Sequence, residues 1–119
     1  MAKVLIVDDS KTSRKFLRNM LEDAGHEVVS EAVNGVEGVE KFRLYKPDVV
    51  TMDITMPVMD GIQTLVKIKE YDPGAKVIMV TAAGQKGKMV DAIKLGAAEF
   101  VTKPFETDQI ISIIESIEE

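Results

Sequence analysis

Four apolar runs in the chain each end on residues that handle charge. Val4-Leu5-Ile6-Val7 leads into Asp8-Asp9, and Val49-Val50-Thr51-Met52 leads into Asp53. Val77-Ile78-Met79-Val80 leads into Thr81, and Phe100-Val101-Thr102 leads into Lys103-Pro104. If these runs are neighbouring parallel strands, their ends meet at one edge and bring together three carboxylates, a hydroxyl and an ammonium. Acids held that closely need a cation, because two unit charges about 4 Å apart interact by about 4 kcal/mol at an effective dielectric near 20. Without one, the cluster is expected to titrate as a coupled group with at least one raised pKa. Carboxylate oxygens suit Mg²⁺, which is often held by one or two carboxylates together with phosphate oxygens. A lysine beside them suits a phosphoryl group. Taken singly, Asp8-Asp9 reads as a helix cap or a turn, Asp53 as a strand-end cap, Thr81 and Lys103 as surface residues, and Phe100 as a core aromatic. The joint pattern is what points to a site.

The elements that would position these residues alternate along the chain. Strand patterns cover about 3–8, 27–32, 48–53, 76–81 and 98–102; the first, third and fourth are runs rich in Val and Ile, the mark of strands buried on both faces. The second mixes polar and apolar residues, as an edge strand does. Helical patterns lie between and after them. The first, about Ser10 to Ala24, places Phe16, Leu17, Met20 and Leu21 on one face and stops at Gly25. The second, about Gly35 to Tyr45, spaces Val36, Val39 and Phe42 to share a buried face, and Lys46-Pro47 ends it. The third starts near Gly61, the fourth spans about Gln85 to Leu95, and the fifth follows Pro104 with a run of isoleucines. This alternation predicts a parallel sheet with helices on both faces. Ligands of such sheets sit beyond the carboxyl ends of the strands, where Asp8, Asp9 and Asp53 lie.

Composition narrows the function classes. The 119 residues fit one domain, and 45% hydrophobic with 29% charged residues is an ordinary globular balance. A net charge of −5 argues against nucleic acid as a partner. The absence of cysteine excludes disulfides and thiolate metal sites. No apolar stretch approaches the roughly 20 residues that span a bilayer, and Met1-Ala2-Lys3 begins no signal-peptide pattern, so no membrane partner and a cytoplasmic location are expected. The only histidine, His26, falls between the first helix and the second strand and reads as a solvated turn residue.

The motifs Val4-Leu5-Ile6-Val7-Asp8-Asp9, Asp48-Val49-Val50-Thr51-Met52-Asp53-Ile54-Thr55-Met56-Pro57, Val80-Thr81-Ala82, Gly96-Ala97 and Lys103-Pro104-Phe105 occur in order across nearly the whole chain. On these residues the chain resembles the receiver domains of two-component response regulators, in particular the stand-alone, CheY-like chemotaxis type. The resemblance implies an α/β, (βα)₅ doubly wound fold over residues 1–119, with a five-stranded parallel sheet in the order 2-1-3-4-5. That order is the one CheY exemplifies and does not follow from the apolar pattern. The resemblance also implies that Asp53 is the phosphoacceptor, its carboxylate taking a phosphoryl group from a phosphohistidine on a sensor histidine kinase of the CheA-like kind. Mg²⁺, or Mn²⁺ in its place, would be held by Asp9 directly, by Asp8 through water, by Asp53 and by the backbone carbonyl of Thr55.

By the same resemblance, Thr81 and Lys103 contact phosphoryl oxygens, and Lys103 partly replaces the metal when it is absent. In the family the pull on Thr81 moves the following loop and draws an aromatic side chain inward. Here that position is Phe100, which lacks the hydroxyl of the more common tyrosine, so its inward state would rest on packing. Pro104 stands at the family's usual cis bond. Thr55 and Ala83 stand where water access is tuned; Ala83 has no polar group to orient a water, which implies slow self-hydrolysis. Such a protein is a phosphoacceptor that promotes its own phosphorylation and dephosphorylation, not a turnover enzyme.

The output partner is less sharply specified. One reading is a stand-alone monomeric switch that binds a flagellar switch protein, or another output protein, through the face formed by helix 4, strand 5 and helix 5. The alternative is a receiver from a longer transcriptional regulator. No Lys or Arg follows Lys103, which removes the basic residues that one class of transcription-factor receivers uses to dimerise through the fifth helix. The fourth helix carries Lys86, Lys88 and Lys94, and a basic fourth helix beside an acidic fifth suits a partner peptide. Phosphatases with a strand-end Asp need a second Asp two residues on, where this chain has Thr55, and a flavin phosphate loop does not fit Asp8-Asp9-Ser10-Lys11.

Overall fold

A computed structural model describes residues 1–82 and 84–118, and of Lys86 the backbone. Five strands and five helices alternate: β1 (Lys3–Val7), α1 (Lys11–Asp23), β2 (Glu27–Ala32), α2 (Gly35–Tyr45), β3 (Val49–Met52), α3 (Gly61–Tyr71), β4 (Val77–Ala82), α4 (Lys86–Lys94), β5 (Glu99–Lys103) and α5 (Thr107–Glu118). The strands form one parallel sheet in the order β2-β1-β3-β4-β5. This is the doubly wound order that the resemblance implies, and it sets the reversal of strand order between β1 and β3. Element limits agree with the sequence patterns to within about two residues, the usual uncertainty of helix and strand ends.

Strand alternation divides the core into two layers. Leu5, Val7, Val50, Met52, Val77 and Met79 point to the side covered by α2, α3 and α4, where Phe42, Leu65, Ile68 and Met89 meet them. Val4, Ile6, Val49, Ile78 and Val80 point to the other side, against Leu17, Met20 and Leu21 of α1 and Ile110 and Ile114 of α5. Each fully buried side chain of this kind stabilises the fold by about 1.5–3 kcal/mol. The three inner strands are largely apolar, with Thr51 of β3 a buried exception, whereas the edge strand β2 carries Ser30 and Glu31.

Three expectations about packing are corrected. Phe16 of α1 is 51% exposed and leans on Phe105, ring centroids 6.1 Å apart, instead of joining Leu17 and Leu21 in the core. Of the stripe expected on α2, Phe42 is buried and Val39 packs partly buried against the core, but Val36 is exposed, and Gly35 and Gly38 are the other buried positions. Glycine is needed there: a Cβ on Gly38 would come within 3.1 Å of Val7, and one on Gly35 would collide with Thr64 Oγ1. His26 is not solvated. It is buried, its Nδ1 accepts from the Ala2 N–H at 3.0 Å, and Glu118 Oε1 lies 3.7 Å from the same nitrogen. The Ala2–His26 bond joins the first residues to the α1–β2 turn, and the Met1 ammonium, 3.2 Å from Glu118 Oε2, joins them to the end of α5.

Candidate functional site

Two backbone hydrogen bonds bring the acids together. The Asp8 N–H donates to the Ala32 carbonyl at the end of β2 (3.0 Å), and the Asp53 N–H donates to the Val7 carbonyl at the end of β1 (2.9 Å). Each strand is thus locked to its neighbour at the first residue past its end. Gly61, the first residue of α3, completes the support. Its N–H donates to the Ile54 carbonyl at 2.7 Å, and a Cβ there would collide with the Asp53 carbonyl. Only glycine lets the start of α3 close over the chain beneath Asp53.

Asp8, Asp9 and Asp53 can each offer a carboxylate oxygen, all within 4.8 Å of one another. Their exposures differ. Asp8 is buried, the Asp53 side chain is 13% exposed, and Asp9 is exposed. Asp8 Oδ1 accepts from the Ser10 N–H at 2.8 Å, while Asp8 Oδ2 faces Lys103 Nζ at 3.1 Å. Lys103 Nζ also lies 3.8 Å from Asp53 Oδ2 and donates to Ser13 Oγ at 3.4 Å. Burial pushes the Asp53 carboxyl up to about 6; Lys103 opposes the rise, and Asp8 and Asp9 add to it. The raised pKa expected of a crowded acid cluster is therefore that of Asp53.

The other expected residues lie around this edge. Thr81 is buried near the end of β4, in register with Thr102, and Lys103 is in register with Ala82. Thr55 is exposed in the β3–α3 loop, where its hydroxyl accepts from Gln85 Nε2 at 3.1 Å. The Lys103–Pro104 peptide bond is cis. Ala83 lies outside the described residues. Phe100 is 39% exposed and lines a groove of about 550 Å³ with Met89, Val90, Ile93, Lys94 and Thr102. The core-aromatic reading of Phe100 does not describe this structure.

Sequence reasoning missed Ser13, Arg14 and Gly61. Ser10 accepts from the Ser13 N–H at 3.2 Å and so caps α1; this turn also presents the Ser13 hydroxyl to Lys103. A Ser-x-x-Ser pattern following an acidic pair was the available signal for it. Nothing local marked the close approach at Gly61, which sits inside a regular capping box formed by Asp60 and Gln63.

Hard carboxylate oxygens at this spacing, with an ammonium already neutralising them, fit a divalent cation and a phosphoryl group at one place. The model of the response regulator receiver domain matches residues 4–115. A chemotaxis protein CheY of Listeria monocytogenes is 51% identical over 115 residues, covering 97% of this chain and 97% of the relative. The CheY of Thermotoga maritima is 45% identical over 115 residues, covering 97% of this chain and 96% of that one. Among solved structures, a complex of CheX with CheY, BeF₃ and Mg²⁺ from Borrelia burgdorferi has a TM-score of 0.93 and 37% identity. The match covers 98% of this chain and 89% of that one.

Proposed function

The chain belongs to the response regulator receiver family, and on that premise we propose that Asp53 is the carboxylate that takes the phosphoryl group. The protein is a two-component response regulator of the chemotaxis type, a phosphoacceptor signalling protein. A receiver belonging to a transcriptional regulator is the less favoured reading, since the chemotaxis relatives match over nearly their whole length. The observation that carries the assignment is the position of Asp53 between two other carboxylates and Lys103.

Receiver domains bind Mg²⁺ at an acidic pocket, and Asp8, Asp9 and Asp53 fit that role here by donor type and spacing. Asp9 would bind directly, Asp8 through water, and the Thr55 carbonyl would complete the protein's share; Mn²⁺ would serve the same donors. The ion, when bound, supplies the positive charge that lets an anionic nucleophile approach an anionic phosphoryl group. An Asp53 oxygen attacks phosphorus, an O–P bond forms, and the P–N bond of a phosphohistidine on the sensor kinase breaks with its electron pair left on the imidazole. Lys103 shifts from Asp8 to a phosphoryl oxygen, and the Thr81 hydroxyl donates to another. Catalysis of this kind is mainly positioning and charge stabilisation. The same residues would promote hydrolysis of the aspartyl phosphate.

The groove between α4 and β5 is the proposed output face, in a protein expected to act in the cytoplasm as a monomer. Phe100, Val90 and Ile93 expose apolar surface there, Lys94 lines it, and the neighbouring α5 carries Asp108 and Glu115. A flagellar switch protein suits this face; the CheX found with the Borrelia relative is a second candidate. The test of the phosphoacceptor assignment is ¹⁹F NMR of beryllofluoride in Mg²⁺. Bound resonances are expected for the native chain and none for Asp53→Asn; bound resonances of full intensity in that variant reject the assignment.

A further inference from the structure

The acidic pair is tied to the rest of the molecule by an arginine that the resemblance gives no role. Arg14 of α1 donates from Nη1 to the Asp8 carbonyl at 2.8 Å and from Nε to Glu31 Oε1 at 2.9 Å. Arg18, one turn later, donates from Nε to Glu31 Oε2 at 2.6 Å. Glu31 belongs to β2 and is in register with Ile6 of β1. A single guanidinium thus joins α1, the edge strand and the end of β1. The Arg14 and Glu31 side chains are 14% and 28% exposed, which shields the pair more than an open surface ion pair. Burial pushes the Glu31 carboxyl up, but hydrogen bonds from Arg18 and Arg14 outweigh it and hold the group below its usual range.

The Asp8 carbonyl begins the peptide unit that carries Asp9. That unit is planar, so fixing its oxygen fixes the direction in which the chain enters Asp9. The Asp8 N–H is held by Ala32 and its carboxylate by Ser10 and Lys103, while the exposed Asp9 depends on its backbone for placement.

We propose that Arg14 is a positioning residue for the metal ligands: its planar fork holds the Asp8–Asp9 peptide against Glu31 and so sets where the Asp9 carboxylate stands relative to Asp53. The inference rests on the reading of Asp8, Asp9 and Asp53 as the Mg²⁺ ligands. Arginine is required because its fork reaches two acceptors at fixed angles, whereas a lysine ammonium is a point donor on a flexible stem. Contacts behind a metal ligand commonly change metal affinity by about 10–100-fold.

The test is a Mg²⁺ titration followed by backbone amide NMR, at a temperature where each protein is folded, with the metal-free unfolding midpoint measured separately. Arg14→Met and Arg14→Lys are both expected to weaken Mg²⁺ by about tenfold, and Glu31→Gln to weaken it in the same direction. A role confined to fold stability would lower the midpoint and leave the affinity of the folded variants within about twofold of the native chain, the result that overturns the proposal. Full recovery of affinity in Arg14→Lys overturns it too, by showing that charge alone suffices. Should Arg14→Met not fold, the other two variants decide. A native chain that binds no Mg²⁺ rejects the ligand reading and this inference with it, whereas equal binding by native chain and variants rejects the inference alone.

Discussion

Lys103 Nζ stands 3.1 Å from Asp8 Oδ2, so the ammonium pairs first with the most buried of the three acids. Asp53 is 3.8 Å from the same nitrogen. The lysine therefore serves as the cation of the cluster in its metal-free form and remains within reach of a group attached to Asp53.

Replacing Lys103 with methionine leaves Asp8 buried without its countercharge. Breaking such a pair by removing one partner is typically destabilising by about 3–5 kcal/mol, and the Ser10 N–H that still serves Asp8 places this case at or below about 3. Denaturant unfolding in a chelator should show that loss, and added Mg²⁺ should restore part of it. Unchanged stability in the chelator would show that the Lys103–Asp8 pair contributes nothing.

Asp53 makes the metal-free fold sensitive to pH. Its carboxyl is raised from 3.8 to about 6, so the folded state holds this proton more tightly than the unfolded chain does. The resulting stabilisation is fully present below about 3.8 and is lost as pH rises through about 6. Asp53→Asn carries no such titration. Metal-free, its unfolding free energy should pull ahead of the native chain's between about pH 4 and 6, by an amount on the order of 1–2 kcal/mol after allowance for solvent screening, and its melting temperature should rise relative to the native chain's in step. Parallel melting curves across that window would contradict the cause assigned to the shift.

The unequal exposure of the acidic pair separates their roles. Asp9→Ala should weaken Mg²⁺ more than Asp8→Ala, because the exposed Asp9 is free to bind the ion directly while Asp8 is engaged by Ser10 and Lys103. Asp8→Ala should lower the unfolding midpoint more. Calorimetric titration and thermal unfolding of both variants give the two orders, and the reverse order of affinities would reject the division between direct and water-mediated binding.

Phe100 and the α4–β5 groove should matter to output and not to phosphorylation. Phe100→Ala is expected to weaken capture of an output protein by beryllofluoride-treated chain, by about 1–3 kcal/mol if Phe100 is a buried anchor of that interface. Its rate of phosphorylation should stay unchanged. A variant that labels slowly but binds its partner normally would place Phe100 in the acceptor site instead.

Much of this architecture was legible because both sheet faces are covered. Strands buried on both sides must be continuous apolar runs, so Asp8, Asp53, Thr81 and Lys103 marked the strand ends by contrast. What was not legible depends on contacts far apart in the chain. Ser13 meets Lys103 across 90 residues, and His26 meets Ala2 across 24. The helical spacing of Val36, Val39 and Phe42 suggested a buried stripe, but Gly35 and Gly38 let α2 approach Val7 and Thr64 so closely that the buried face turned toward the glycines. Phe16 kept its helical position but met Phe105 outside the core. The strand order came through the resemblance alone, since apolar runs do not encode which neighbour each strand chooses.

The central claim is that Asp53 alone among the three acids forms the covalent bond. The direct measurement is reaction with a small-molecule phosphodonor in Mg²⁺, followed by hydride trapping of the acyl phosphate and peptide mass mapping. One modified residue per chain, at Asp53, with none in Asp53→Asn, is the expected result. A trapped adduct on Asp8 or Asp9 of the native chain, or undiminished labelling of Asp53→Asn, would contradict it.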